Sequence, residues 1–206
     1  MLTFATLGPT GSNHEFVTRR YLDFHGLPDA RIALVLEFDV AFAMLRAGTA
    51  DFVVQVAVHP DTASVVGRHF REFFIVDVFV SPSRPLAVLT RAGVDRPRSI
   101  GMQPATRAYV DTTRWEAIVD EISIASVARS LLDGRIDSGI TATEYASLHP
   151  DHLRVDEVIG TPDDAWIVYG RERTTGGALL AWRDSPAGRR YRALADERRR
   201  GPAPPR

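Results

Sequence analysis

Two segments of the chain share one pattern, in which a helix ends at a glycine and an aspartate then leads into a buried strand. The first segment has Gly48 and Asp51 at these places, and the second has Gly134 and Asp137. Glycine commonly ends helices because it adopts the left-handed conformation without strain. Since alternating helices and strands favour an α/β fold, the repeat predicts two similar lobes, each with a largely parallel sheet.

The stretches around the repeat predict how two such lobes are connected. A β-branched and aromatic strand over 73–80 has a Pro-rich exit and leads to a strand over 86–90, which we interpret as a crossover. The apolar segment 165–169 predicts the return crossover, and Ser185 with Pro186 opens a last helix that we expect to pack on the first lobe. The predicted boundaries are 1–80 for the first part of lobe 1, 81–160 for lobe 2, 161–200 for the return to lobe 1 and 201–206 for a disordered tail.

Composition excludes several kinds of chemistry. The chain has no cysteine, and all 25 of its basic residues are arginines. Thiol nucleophiles, thiolate metal sites, lysine Schiff bases and attachment of pyridoxal phosphate are therefore excluded. The net charge of -1 argues against a nucleic-acid or membrane partner, and no apolar run approaches the ~20 residues of a membrane span. The short apolar N-terminus lacks a basic leader, so we expect no signal peptide and a soluble, cytoplasmic protein.

The histidines predict no metal site, and we expect an enzyme that needs neither a metal nor an organic cofactor. His149 and His152 share a polar loop but have no third ligand near them in sequence. His59 follows a predicted strand over 52–58 and could reach a cleft, although we interpret it as a loop residue.

Two turns between a strand and a helix are suited to binding an anion, one in each predicted lobe. The first runs from Gly8 to His14, where Ser12 is a predicted helix cap and Asn13 and His14 add donors. Free backbone N–H groups and the helix dipole attract anions at such a place. The alternative interpretation of these residues is a tight turn with a capping box that binds no ligand.

The second turn follows a strand predicted over 98–102 and contains Gln103, Ala105, Thr106 and Arg107. Gln103, Thr106 and Arg107 can each donate a hydrogen bond to a carboxylate, Arg107 through two parallel bonds. A surface turn with a solvated arginine is the alternative interpretation. Having one such turn in each lobe favours an anion site in the cleft between them.

Five segments occur in an order and spacing that are typical of one family. They are LGPTGSNHE at 7–15, ADFVVQVAV at 50–58, SIGMQPAT at 99–106, ASVARSLLDGRIDSGIT at 125–141 and DDAWIVYG at 163–170. Together they resemble the catalytic domain of prephenate dehydratases over about residues 3–170. The resemblance implies a two-lobed type II periplasmic-binding-protein-like α/β fold with a central cleft. We expect no counterpart of the regulatory ACT domain of full-length dehydratases within these residues.

The chain departs from that family at the positions that matter for dehydration. The family's glutamate falls at Ala57, and its Thr-Arg pair falls at Asp164 and Ala165. Trp166 replaces its phenylalanine. The family's threonine is held to assist departure of the ring hydroxyl, so its loss implies a different outcome. The same losses occur in prephenate decarboxylases of the bacilysin-pathway type, the subgroup that the chain resembles most.

This resemblance implies a carbon–carbon lyase of secondary metabolism, in a pathway such as antibiotic biosynthesis. It would remove CO2 from prephenate without making the ring aromatic and release a dihydro-4-hydroxyphenylpyruvate. A divergent dehydratase, which is a hydro-lyase, and an enzyme on a related cyclohexadiene acid are alternatives. A non-catalytic module that binds a small acid is another, because fold does not determine function. The expected ligand is a dianionic acid like prephenate, and the oligomeric state, a homodimer included, stays open.

The candidate site follows from the two turns and the resemblance together. We assign His14 as a proton donor and Asp164 as the second catalytic residue. Two of the binding positions, Gln55 and Gln103, replace a family proline and histidine and could signal a changed ligand. The substrate-binding residues are Ser12, Asn13, Gln55, Ala57, Gln103, Ala105, Thr106, Arg107, Thr141 and Trp166.

Overall fold

The computed structural model describes residues 1–179, 181–182 and 184–200, without the side chains of 197 and 198. The chain divides into one compact unit over Met1–Arg173 and a second from Thr174 onward. The predicted tail 201–206 lies outside the described residues. The strands are β1 (Thr3–Leu7), β2 (Arg31–Val35), β3 (Phe52–Val56), β4 (Phe74–Pro82), β5 (Leu86–Arg91), β6 (Ser99–Met102), β7 (Ala117–Asp120), β8 (Ser138–Ala142), β9 (Leu153–Gly160) and β10 (Asp163–Gly170). The helices are α1 (Asn13–Phe24), α2 (Phe38–Ala47), α3 (Thr62–His69), α4 (Ile124–Leu132), α5 (Glu144–Leu148) and α6 (Pro186–Arg200), with 3-10 helices at Pro104–Tyr109 and Thr112–Arg114.

Two five-stranded sheets, one in each lobe of the first unit, have the same arrangement. Their strand orders are β2-β1-β3-β10-β4 and β7-β6-β8-β5-β9. In each sheet the first three strands run parallel, and the fourth runs antiparallel to both of its neighbours. The two-lobed α/β fold predicted from the repeat is confirmed. Four of the five strands in each sheet point in one direction, as the prediction of largely parallel sheets expects. The exceptions are β10 and β5, which each enter from the other lobe and run against their neighbours.

The glycine and aspartate of the repeat have the same structural role in both lobes. Gly48 and Gly134 follow helices α2 and α4 with φ values of 72° and 74°, the left-handed conformation that favours glycine. The Asp51 carboxylate accepts a hydrogen bond from the backbone N–H of Thr3 at 2.7 Å. The Asp137 carboxylate accepts one from the backbone N–H of Ser99 at 3.2 Å. Each aspartate therefore joins its own strand to the start of the neighbouring parallel strand.

The central strand of the first sheet is buried on both faces. Val53 packs with α2 in one apolar cluster, whereas Val54 packs with α1 in a second cluster on the other face. A strand buried on both faces is a nearly continuous apolar run, which is how this segment appears in the sequence. The sandwich of α1, sheet and α2 places the carboxyl ends of β1 and β3 and the start of α1 at one edge of the lobe.

Several boundaries differ from those predicted. Strand β3 ends at Val56, and the segment after Gln103 forms a 3-10 helix rather than an α-helix. Helix α2 begins at Phe38, and the Asp39 carboxylate in its first turn pairs with Arg68 at 2.8 Å. In the second unit, the Ser185 side chain accepts a hydrogen bond at 3.0 Å from the first turn of α6, as a cap does.

No helix in the described part of the chain is long and apolar enough to cross a membrane. The packing of α6 on the first lobe and the predicted domain boundaries stay predictions.

We predict that Gly139→Ala destabilises the second lobe. A methyl group at Gly139, on β8, would overlap the side chain of Val127 on α4. Overpacking of this kind costs roughly 1–3 kcal/mol. Gly67→Ala on α3 is the matched control, because Gly67 has open space around it and alanine favours a helix by roughly 0.5–1 kcal/mol. Urea denaturation measures both free energies of unfolding, and an unchanged value for Gly139→Ala would contradict the packing described.

Candidate functional site

A cavity with an empty volume of about 730 Å³, part of it open to solvent, lies where the two lobes meet. Strand ends, helix starts and the segment after β4 all contribute to its wall. The lining residues are Leu7, Gly8, Ser12, Asn13, His14, Val56, Val58, His59, Ser83, Leu86, Gln103, Ala105, Thr106, Tyr109, Ile122, Ser123, Ile124, Pro162 and Asp164.

The structure brings most of the predicted site residues together on this wall. Those that line the cavity are Ser12, Asn13, His14, Gln103, Ala105, Thr106 and Asp164. Those that do not are Gln55, Ala57, Arg107, Thr141 and Trp166. Both predicted turns therefore reach one cavity, although the arginine of the second turn does not.

Two helices begin at the cavity, one from each lobe. The Ser12 hydroxyl accepts a hydrogen bond from the first turn of α1 at 3.2 Å, and Ser123 does the same for α4 at 2.9 Å. These caps leave the backbone N–H groups of Asn13, His14 and Ile124 without a hydrogen bond among the described residues. Free N–H groups at a helix start attract anions. The sequence signal for the second helix start is the capping serine, Ser123, before α4.

The donors of the second predicted turn are already engaged within the protein. Both carboxylate oxygens of Asp120 accept hydrogen bonds from Arg107, at 2.8 and 3.0 Å, and this ion pair is half exposed. The Gln103 side chain donates to the backbone oxygen of Ile122 at 3.1 Å, and the Thr106 hydroxyl donates to that of Gln103 at 2.9 Å. No arginine lines the cavity within the described residues.

A hydrogen-bond network joins three parts of the chain at the wall. The Asn13 amide donates to the Ser83 hydroxyl at 2.7 Å, and Ser83 donates in turn to the Asp164 carboxylate. The backbone N–H of Arg84 donates to the Asn13 amide oxygen at 3.1 Å. Helix α1, the segment leaving β4 and the returning strand β10 are thereby held together. Asp164 is the one acidic or basic side chain, apart from histidines, on the described wall.

His14 lies on the wall but is almost entirely buried. Its ring centroid lies 5.1 Å from that of Trp166 and 5.7 Å from that of Phe38, both in edge-to-face contact. Burial lowers the pKa of His14 to about 3, and the nearby His59 adds to this shift. Its Nε2 has no hydrogen-bond partner among the described residues. His14 is therefore neutral at ordinary pH, which suits a hydrogen-bonding group better than a proton donor.

His59 lies on the same wall, in the turn after β3, where sequence analysis placed a loop residue. Its Nδ1 accepts a hydrogen bond from the backbone N–H of Asp61 at 3.2 Å, and its side chain is 25% exposed. Burial lowers the pKa of His59, while the Asp61 carboxylate, 3.8 Å from Nδ1, opposes this shift. A loop histidine gives no sequence signal that distinguishes a wall position from a solvent position.

Tyr109 is a wall residue that the sequence did not indicate. It lies on the wall at the end of the first 3-10 helix. Burial raises the pKa of its hydroxyl, and the negative charge of Asp164 raises it further. Tyr109 is therefore a neutral hydroxyl that can donate a hydrogen bond near the carboxylate.

Three predicted residues lie behind the wall instead of on it. The Thr141 hydroxyl donates to the backbone oxygen of Ile124 at 2.6 Å and so supports the start of α4. Trp166 is fully buried beneath His14. The amide nitrogen and oxygen of Gln55 are buried without a hydrogen-bond partner among the described residues. No group of three His, Asp or Glu side chains in the described ranges is arranged to hold a metal ion.

Comparison with solved structures identifies the fold. A prephenate dehydratase from Arthrobacter aurescens, solved in complex with L-Phe, matches with a TM-score of 0.62 and 23% sequence identity over 86% of this chain. The chain spans 63% of the length of that structure. The periplasmic VFT2 domain of BvgS from Bordetella pertussis matches with a TM-score of 0.51 and 14% identity, covering 82% of this chain and 80% of that domain.

A third structure, GqqA, described as a novel type of quorum quenching acylase, matches with a TM-score of 0.53 and 16% identity. The match covers 87% of this chain and 66% of the GqqA chain. No protein-family model matches the sequence, and comparison with curated protein sequences gives no match. At these identities the comparisons show the fold alone: the chain has the two-lobed architecture shared by a prephenate dehydratase and periplasmic binding domains.

We predict that His14 makes the protein less stable in mild acid. Its pKa is about 3 in the folded protein against an ordinary 6.5, so the unfolded chain binds the proton more readily. Stability is therefore lost as the pH falls below about 6.5, by roughly 2 kcal/mol between pH 7 and pH 5. His14→Phe, which keeps a ring against Trp166, should remove this part of the pH dependence of the unfolding free energy. His152→Gln, an exposed loop variant, should retain it, and equal pH slopes in wild type and His14→Phe would refute the assignment.

Proposed function

We propose that the protein is a decarboxylase of prephenate or a closely similar cyclohexadiene acid, acting in secondary metabolism. The observation that carries this proposal is the charge of the cavity wall. Its described side chains include one carboxylate, Asp164, and no arginine, while free backbone N–H groups face it from two helix starts. Such a wall attracts one carboxylate of a ligand and repels another.

The attractive end lies at the starts of α1 and α4. The N–H groups of Asn13, His14 and Ile124 are free to donate to a carboxylate there, and the helix dipoles add to the attraction. In prephenate this position suits the carboxylate of the pyruvyl side chain, which is retained in the product. The capping serines already use their hydroxyl groups within the helices, so the backbone supplies the hydrogen bonds.

The repulsive end lies at Asp164. A ligand carboxylate beside Asp164 loses solvation and meets a like charge, and both effects disappear when it leaves as neutral CO2. Destabilising a charged group that becomes neutral in the transition state lowers the barrier to its departure. The apolar side chains of Leu86, Ile122 and Pro162 on the wall add to the desolvation.

The same end of the cavity disfavours dehydration. A ring hydroxyl leaves as water only if a group protonates it, and a carboxylate that already accepts a hydrogen bond from Ser83 supplies no proton. The fold shared with the Arthrobacter prephenate dehydratase supports a substrate of this class. The absence of a dehydratase-type donor at this position supports the non-aromatic outcome.

Incubation with prephenate tests the proposal directly. We expect release of CO2 and a dihydro-4-hydroxyphenylpyruvate, identified by mass spectrometry and by the absence of aromatic absorbance. Phenylpyruvate as the main product would contradict the proposal and identify a divergent dehydratase instead. Saturable binding of prephenate without turnover would identify a binding module.

We predict that Asp164→Asn binds prephenate more tightly and turns it over more slowly. Removing the like charge relieves strain in the bound ground state, so KM and kcat should fall together. A decrease of roughly ten-fold in KM corresponds to about 1.4 kcal/mol. Asp163→Asn is the matched control, because Asp163 is exposed on the same strand and does not line the cavity. A higher KM in Asp164→Asn would show that Asp164 attracts the substrate instead.

A further inference from the structure

Loss of CO2 leaves an electron pair on the ring diene, and a ring carbon must then receive a proton. The wall offers two histidines in the first lobe, His14 and His59, whose ring centroids lie 6.3 Å apart. His14 is almost fully buried among Phe38 and Trp166 and stays uncharged at ordinary pH, and a neutral imidazole is a very weak acid. The choice between the two histidines therefore depends on their surroundings.

His59 is held in one orientation with one nitrogen free. Its Nδ1 faces the backbone N–H of Asp61 at 3.2 Å, so in the neutral ring the hydrogen resides on Nε2. No hydrogen bond among the described residues uses Nε2. The ring packs edge to face on Phe38, with centroids 5.0 Å apart, which limits its rotation.

Burial lowers the pKa of His59, but a counter-charge and solvent lie beside its ring. The Asp61 carboxylate lies 3.8 Å from Nδ1 and stabilises the protonated ring. The other groups packed against it are Phe38, from α2, and neutral His14, from α1. One quarter of the side chain is exposed, so the ring can take a proton back from water.

We propose that His59 is the catalytic acid that protonates the ring carbon after CO2 has left. The inference rests on the proposed decarboxylase function. The C–C bond to the ring carboxylate breaks, CO2 departs, and the electron pair stays on the ring diene. In protonated His59 the Nδ1–H gives up the contact with the backbone N–H of Asp61 and faces the Asp61 carboxylate, 3.8 Å away. Nε2–H then forms the new C–H bond, the hydrogen on Nδ1 stays in place, and water protonates Nε2 again. No oxidant or reductant takes part.

The first experiment compares His59→Gln with wild type and with His152→Gln, a control in an exposed loop. Quenching of tryptophan fluorescence by prephenate measures binding, and CO2 release measures turnover. We expect His59→Gln to bind prephenate with little change and to lose about 10²-fold or more in kcat. An unchanged kcat in His59→Gln would overturn the inference while leaving the decarboxylase proposal intact. A wild-type protein that releases no CO2 would overturn both.

The second experiment uses the pH profile, which a purely structural role would not move. Activity that requires protonated His59 should fall as the pH rises through its pKa. Asp61→Asn keeps the backbone N–H but removes the carboxylate that raises this pKa, so the fall in kcat should begin at lower pH. The same pH profile of kcat in wild type and Asp61→Asn would overturn the role of His59. This experiment does not depend on whether the His59→Gln variant folds.

Discussion

The hydrogen bonds among Asn13, Ser83 and Asp164 join the three parts of the chain on which the cavity depends. Asn13 begins α1, Ser83 lies where the chain leaves the first sheet, and Asp164 lies where it returns. Because two strands cross between the lobes, the cavity is built at the place where the chain passes from one sheet to the other. The network holds that place together and also sets the position of the carboxylate on the wall.

The electrostatics of the wall follow from where the arginines are. Arg107 is paired with Asp120 on the surface, and Arg84 is paired with Glu144 while its guanidinium lies 4.5 Å from the centroid of the Phe16 ring. Because these guanidinium groups are paired elsewhere, the donors at the cavity are backbone N–H groups and uncharged side chains. Helix starts bind an anion through partial positive charges only. The repulsion between the Asp164 carboxylate and a second carboxylate of the ligand is therefore not cancelled by a nearby cation.

The two lobes share one strand order but bring different helix starts to the cavity. In the first lobe α1 follows the first parallel strand, β1, whereas in the second lobe α4 precedes the third, β8. Glycine and aspartate at the end of α2 and α4 keep the neighbouring strands in register in both lobes. The wall differs between the lobes: the first supplies α1 and two histidines, and the second supplies the start of α4 and a 3-10 helix with Thr106 and Tyr109.

Local sequence determined the elements and the repeat. Helix caps such as Ser12 and Ser123, and helix stops such as Gly48, act through residues a few positions away, so the printed order of residues is enough to find them. Tertiary structure decided which way the crossover strands run, that Arg107 turns to Asp120, and that His59 reaches the cavity while Trp166 lies behind it. Those outcomes depend on side chains from distant segments competing for the same partners and the same space, and no local pattern records that competition.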